Sequence, residues 1–177
     1  EARGTATFTI VLTSQPMADV MIGLSSSNPA EGTVIPAGVT FTAGDWNIPQ
    51  TVTVTGVDDF VDDETVTYAV VLAAAISSDP VYDGWNAADV TVANLDDDAA
   101  GITVSPISGN TTEAGGTATF TIALDTQPTA VVTIHFRSSD ATEGSVWPDA
   151  VHFSPFSWSL VQTVTVYGVD DDLLDGP

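Results

Sequence analysis

Between Gly56 and Val66 the sequence reads GVDDFVDDETV, so Asp58, Asp59, Asp62, Asp63 and Glu64 place five carboxylates within seven residues. A second run, Asp96-Asp97-Asp98, lies further along the chain. Two carboxylates ~4 Å apart repel by about 4 kcal/mol at an effective dielectric of 20. Such groups coexist only if they are dispersed in water, protonated or bridged by a cation. A hard divalent ion with roughly 6–8 oxygen ligands suits them, and Ca²⁺ fits better than Mg²⁺, which keeps several waters. The first histidine is His135 and there is no cysteine, so the donors are oxygens alone. The competing reading of one such loop is an acidic surface splayed into water. For the whole chain it is an acidity that serves only solubility in a salty medium.

Composition narrows the partners. Among 177 residues, 24 acids face two arginines, Arg3 and Arg137, for a formal charge of −22. Nucleic acid is excluded as a partner, because phosphate binding needs Lys or Arg to displace counterions. An anionic membrane surface is disfavoured for the same reason. No apolar run approaches the ~20 residues of a spanning helix, so no membrane insertion is expected. The absence of cysteine excludes disulfides and thiolate metal sites. Asn110-Thr111-Thr112 fits a glycosylation triplet, a short pattern of low specificity.

Other chemistry finds little support. His135 and His152 lack spaced partners, and the serines of SSSN and SSD have no nucleophile-elbow setting. The paired acids sit in one dense acidic loop rather than an apolar cleft, which argues against glycoside hydrolysis. The expectation is a protein that is not an enzyme. Trp46, Trp158 and Trp85 fall in loops away from the acids, where they either pack on an edge or form an aromatic platform. Asp79, Asp83 and Asp89 are candidates for a second, weaker ion near Trp85.

These residues are carried on a repeat. EARGTATFTIVLTSQP from Glu1 returns as EAGGTATFTIALDTQP from Glu113, an offset of 113 − 1 = 112 that continues without a gap. Trp46 matches Trp158, and QTVTVTGVDD from Gln50 matches QTVTVYGVDD from Gln162; about half of the aligned positions are identical. That period suits tandem domains rather than a solenoid. The local pattern is β throughout, with Thr and Val alternating between turn signals. Strand A is expected at 102–105, and in the first copy B at 5–12, C at 19–25, D at 33–42, E at 50–57, F at 65–73 and G at 88–94. The fold class is therefore all-β, as tandem immunoglobulin-like antiparallel β-sandwiches with the second copy incomplete. The expected domains are 1–98, a repeat lacking its first strand; 99–101, a linker; and 102–177, a repeat lacking its last two strands. The chain reads as a window on a longer array. Open sandwich edges of this kind invite completion by neighbouring repeats or by other copies of the chain. Strand parity then sends the A–B, C–D and E–F turns and the end of strand G to one pole, where Glu1, Asn28, Glu31, the loop acids and Asp96–Asp98 lie.

GTATFTIVL, VTFTAGDWNIPQTVTVTGVDDFVDDETVTYAVVL and NLDDD resemble the Calx-β domain, the calcium-binding sandwich of sodium–calcium exchangers and of bacterial surface proteins and adhesins. The resemblance covers essentially the whole chain. It implies Ca²⁺ ligands at Glu1, Asp58, Asp59, Asp63, Asp96, Asp97 and Asp98. In the second copy it implies Glu113, Asp170, Asp171 and Asp175, as a weakened or empty site. In the C–D turn the first copy has Asn28 where the second has Asp140. The expectation is a non-enzymatic extracellular or cell-surface repeat module of bacterial type, rigidified by Ca²⁺ and forming a stalk or array. The alternatives are an adhesion module that meets glycan or protein through its loop tryptophans, and an accessory domain of a larger secreted enzyme.

Overall fold

The computed structural model describes residues 3–170, all of them in strands, turns and loops. The chain divides into two compact units, Glu1–Asp59 with Asp63–Asp97, and Phe60–Asp62 with Asp98–Pro177.

The first unit is built on β1 (Thr5–Ile10), β2 (Val20–Ser26), β3 (Gly32–Ile35), β4 (Gly38–Phe41), β5 (Gln50–Gly56), β6 (Val66–Leu72), β7 (Ile76–Ser77) and β8 (Val90–Asn94). β-Branched Thr and Val dominate these segments, and their period-two alternation gives each strand one apolar face. One antiparallel sheet runs β1-β5-β3 and the other β4-β2-β6-β8, with β7 paired to the start of β2. Val52 and Val54 of the first sheet pack against Val20, Ile22, Leu24, Val39, Phe41, Tyr68, Val70 and Leu72 of the second. Full burial of each such side chain stabilises by about 1.5–3 kcal/mol.

Two expectations are corrected. The single strand D at 33–42 is two strands that join opposite sheets, β3 pairing with β5 and β4 with β2. Pro36 stands between them and has no N–H to give a ladder, so pairing cannot run through it. The F–G connection, read as a loop, contains β7 and a packed turn. Tyr82 there is buried and its hydroxyl donates to the Ser14 carbonyl at 2.6 Å.

The second unit has β9 (Ile102–Val104), β10 (Thr117–Leu124), β11 (Val132–His135), β12 (Gly144–Trp147), β13 (Ala150–Phe153) and β14 (Gln162–Gly168). One sheet runs β12-β14-β10-β9, and β11 pairs with β13. The registers repeat those of the first unit at the offset of 112. Phe8 opposite Val52 becomes Phe120 opposite Val164, and Val20 opposite Phe41 becomes Val132 opposite Phe153. Its buried core is smaller: Ile122, Val151, Phe153 and Val164. Phe120 and Phe136 meet edge-on across it, with ring centroids 6.0 Å apart.

Candidate functional site

Backbone hydrogen bonds bring four segments together at one end of the first unit. The Gly56 N–H donates to Gly4 O at 2.9 Å, and the Val57 N–H donates to Glu31 O at 3.0 Å. Asn94, the last residue of β8, donates from Nδ2 to Val57 O at 3.0 Å and to Glu31 Oε2 at 3.1 Å. Thus the start of β1, the turn before β3, the end of β5 and the end of β8 converge. Glu31 and Asn94 are both buried. A buried carboxylate is costly unless it is hydrogen-bonded, and the Asn94 amide supplies that bond. Burial of Tyr68 raises its phenol above the usual range, and the nearby Glu31 carboxylate adds to the rise.

The acidic loop runs from 57 to 65, between β5 and β6. Its link to the tail of β8 is direct. Asp96 Oδ2 accepts from the Asp63 N–H at 3.0 Å and from the Glu64 N–H at 2.9 Å. Glu64 holds a φ of 64°, the left-handed region that non-glycine residues rarely adopt. A carboxylate receiving two adjacent backbone N–H groups stabilises that turn by charge-assisted bonds. Asp58, Asp63 and Asp97 are exposed, and Asp59 and Asp96 are half-buried. Asp98, also half-buried, counts with the second unit. Within that unit Asp62 Oδ2 accepts from the Ala100 N–H at 2.8 Å.

Glu113 and Glu143 of the second unit line one concavity with Thr111, Thr112 and Gly168. This is the counterpart of the same pole, since the Val169 N–H donates to Glu143 O as Val57 does to Glu31 O. Glu113 and Asp170 are exposed. Glu1, Asp171 and Asp175 lie outside the described residues.

No three carboxylate or imidazole groups are gathered in ligand geometry among the described residues. The donor chemistry at the pole nevertheless suits a hard cation: oxygens only, drawn from the loop and from the β8 tail that Asp96 already ties to it. Glu31 and Asn94 are the residues that the sequence reading underused. The repeated Glu31-Gly32 and Glu143-Gly144 pair was the available signal.

The other candidates have ordinary structural work. Asp79 accepts from the Met17 and Val81 N–H groups, Asp83 from Ser77 and Asp89 from Leu72, so each caps a different stretch of backbone. Asp140 accepts from the Thr142 hydroxyl and N–H, which hold its carboxyl below the usual range. His152 Nδ1 meets Thr133 Oγ1 across the exposed face of β11 and β13. Trp46 packs on the core and Trp158 lies 5.8 Å from Phe60, whereas Trp85 is 60% exposed. Among the described residues no helix is long and apolar enough to cross a membrane. No family model matches the chain, and no curated protein matches it.

Proposed function

We propose that the chain is a non-enzymatic, extracellular repeat module of Calx-β type, with tandem immunoglobulin-like sandwiches that Ca²⁺ rigidifies within a stalk or surface array. The observation that carries this reading is the Asp96 carboxylate on the Asp63 and Glu64 amides, which joins the two acidic runs at one pole. Asp58, Asp59, Asp63, Asp96, Asp97 and Asp98, with Glu1, are the residues that would hold Ca²⁺, and Glu113, Asp170, Asp171 and Asp175 are the second copy's ligands. Bound Ca²⁺ supplies positive charge among carboxylates that otherwise repel. The chain's own part is positional. Asp96 fixes the loop turn, and Asn94 and Glu31 anchor the strand ends beneath it. Neighbouring repeats, of the same chain or of other copies, are the remaining partners, and reach is the task.

Thermal melting with Ca²⁺ and with chelator tests the reading. At 100 times its Kd, an ion that binds only the folded state adds about 2.7 kcal/mol. For a domain of this size, that shifts Tm by roughly 4–8 °C per kcal/mol. Identical melting curves with Ca²⁺ and with chelator would sink it.

A further inference from the structure

The sheet β12-β14-β10-β9 has an outward face that serves neither the core nor the acidic pole. Ala118, Ile122 and Val164 are buried, and Phe120 and Val146 pack on the same side, so the alternate positions point to solvent. Threonine stands there at 117, 119 and 121 of β10 and at 163 and 165 of β14. Ser145 and Trp147 of β12 and Tyr167 of β14 share the face. Trp147 is 68% exposed and Tyr167 40%. Register makes the two rings neighbours. Trp147 lies opposite Thr165, and Tyr167, two residues on, lies opposite Ser145. Residues on such a diagonal stand about 7–8 Å apart, within reach of one extended ligand.

Two comparisons set this pair of rings apart from strand filling. The first is with the other repeat. There the same ladder places Ile35 opposite Thr53 and Thr55 opposite Thr33, so neither ring is needed to build the sheet. Ile35 is 70% exposed, so the position stands open in both units alike, and the exposure of Trp147 follows from the ladder itself. The second is with the charge of the chain. Of its 24 acids, none occupies an outward position of β10, β12 or β14. An anionic ligand meets the repulsion of the whole chain, and a cationic one is drawn to the acids rather than to this face. The ligand that the face suits is therefore uncharged. Its Thr and Ser hydroxyls both donate and accept hydrogen bonds. Its rings offer flat apolar surface with a polar tip. A pyranose sugar has the complementary build, with C–H faces and a rim of hydroxyls.

We infer that the outward face of β12 and β14 binds a neutral, unbranched saccharide chain. Successive sugar rings lay their C–H faces on Trp147 and Tyr167. Ser145, Thr163 and Thr165 exchange hydrogen bonds with the sugar hydroxyls. The site belongs to the second unit alone, because Ile35 and Thr55 leave the first unit with the hydroxyls and without the rings. It uses none of the carboxylates assigned to Ca²⁺.

The probes are cellohexaose, xylohexaose and mannohexaose, with trigalacturonate as the anionic control, each titrated into the full ¹⁵N-labelled chain. At least one neutral hexaose should shift the Trp147 indole N–H and the amides of 145–147 and 163–167 saturably, while the indoles of Trp46, Trp85 and Trp158 stay in place. Trp147→Ile, which installs the residue of the first unit, should weaken binding about tenfold and leave the melting curve unchanged. Tyr167→Thr should weaken it about threefold. Grafting Ile35→Trp with Thr55→Tyr should create a second site on the first unit. Several outcomes overturn the inference: no shift with any hexaose at millimolar sugar, equal binding to the Trp147→Ile chain, equal binding of trigalacturonate, or no gain from the graft. Shifts centred on another tryptophan would do the same. A concentration-dependent dimer that Trp147→Ile dissolves would overturn it too, since a second copy would then be the occupant.

Discussion

In the first unit Val20, Ile22 and Leu24 are buried in a sheet that β6 and β8 extend; in the second, Val132, Ile134 and Phe136 carry the same alternation and stay half-buried. The ladders do not register this difference. β1 meets β5 in the same alignment as β10 meets β14, and β2 meets β4 as β11 meets β13. Register is therefore set by the paired strands themselves, through the matched apolar and Thr faces across each pair. Core formation is not local. In the first unit it draws on the two strands that arrive last, through Tyr68, Val70 and Leu72 of β6 and Val90 and Val92 of β8. The converse holds at the opposite edge. Ile122 is buried in the second unit, where it pairs with Val104 of β9, whereas its counterpart Ile10 is half-buried.

Paired substitutions at the two positions of each match break or sharpen this contrast, with amide exchange reporting on each unit separately. The largest effect is expected from Ile22→Ala, at about 2–5 kcal/mol of stability in the first unit. Ile134→Ala should cost less than half as much in the second, because less of that side chain leaves water on folding. Equal costs would show that the second core is as closed as the first. Next is Gly32→Leu, which drives a side chain into the Tyr68 phenol and should cost about 1–3 kcal/mol or more. Gly144→Leu should stay within about 0.5 kcal/mol of the parent, as surface changes do. Asp96→Ala comes third. It removes the acceptor of two backbone N–H groups and should cost about 1 kcal/mol, read as faster exchange at 63 and 64 with the second unit unaffected.

The smallest effect is a response to alkali. Burial, reinforced by Glu31, raises the Tyr68 phenol, so the folded first unit holds that proton more tightly than the unfolded chain. The associated stability is whole below the ordinary value of 10.0 and is lost as pH rises through the folded value. Urea midpoints of the first unit should therefore fall above pH 10. Tyr68→Phe should remove that dependence, and a slope that survives the substitution would assign it to another group.

Much of this was legible before folding. TATFTI and QTVTV announce strands by alternation alone, and the offset of 112 predicts that any ladder seen once will be seen twice. The meeting of the A–B, C–D and E–F turns with the end of strand G follows from counting strand reversals. What stayed hidden depends on single atoms or on packing across distance. Pro36 was visible as a residue, but its role in sending β3 and β4 to different sheets follows from where their partners lie. The F–G stretch looked like a loop because its ordering comes from Tyr82 on Ser14 and Asp79 on Met17, contacts made 68 and 62 residues apart. The repeated Glu-Gly pair marks Glu31 in the sequence but not its burial, which depends on the bond from Asn94 at the other end of the repeat.

The passage of the chain from β3 to β4 through Pro36 and Ala37 acts on the sandwich as a spine acts on a book. Along that margin the two sheets are joined covalently and cannot part. Along the opposite margin β1 and β8 belong to different leaves, and the cleft lined by Thr5, Ala6, Val92 and Ala93 lies there. Away from the Asn94 bonds that pin the end of β8, opening is expected to start at β1 and β8, where Phe8 and Val92 are half-buried, and to reach the buried Val39 and Phe41 last. The order in which deuterium enters the first unit is written into a two-residue link at its far side.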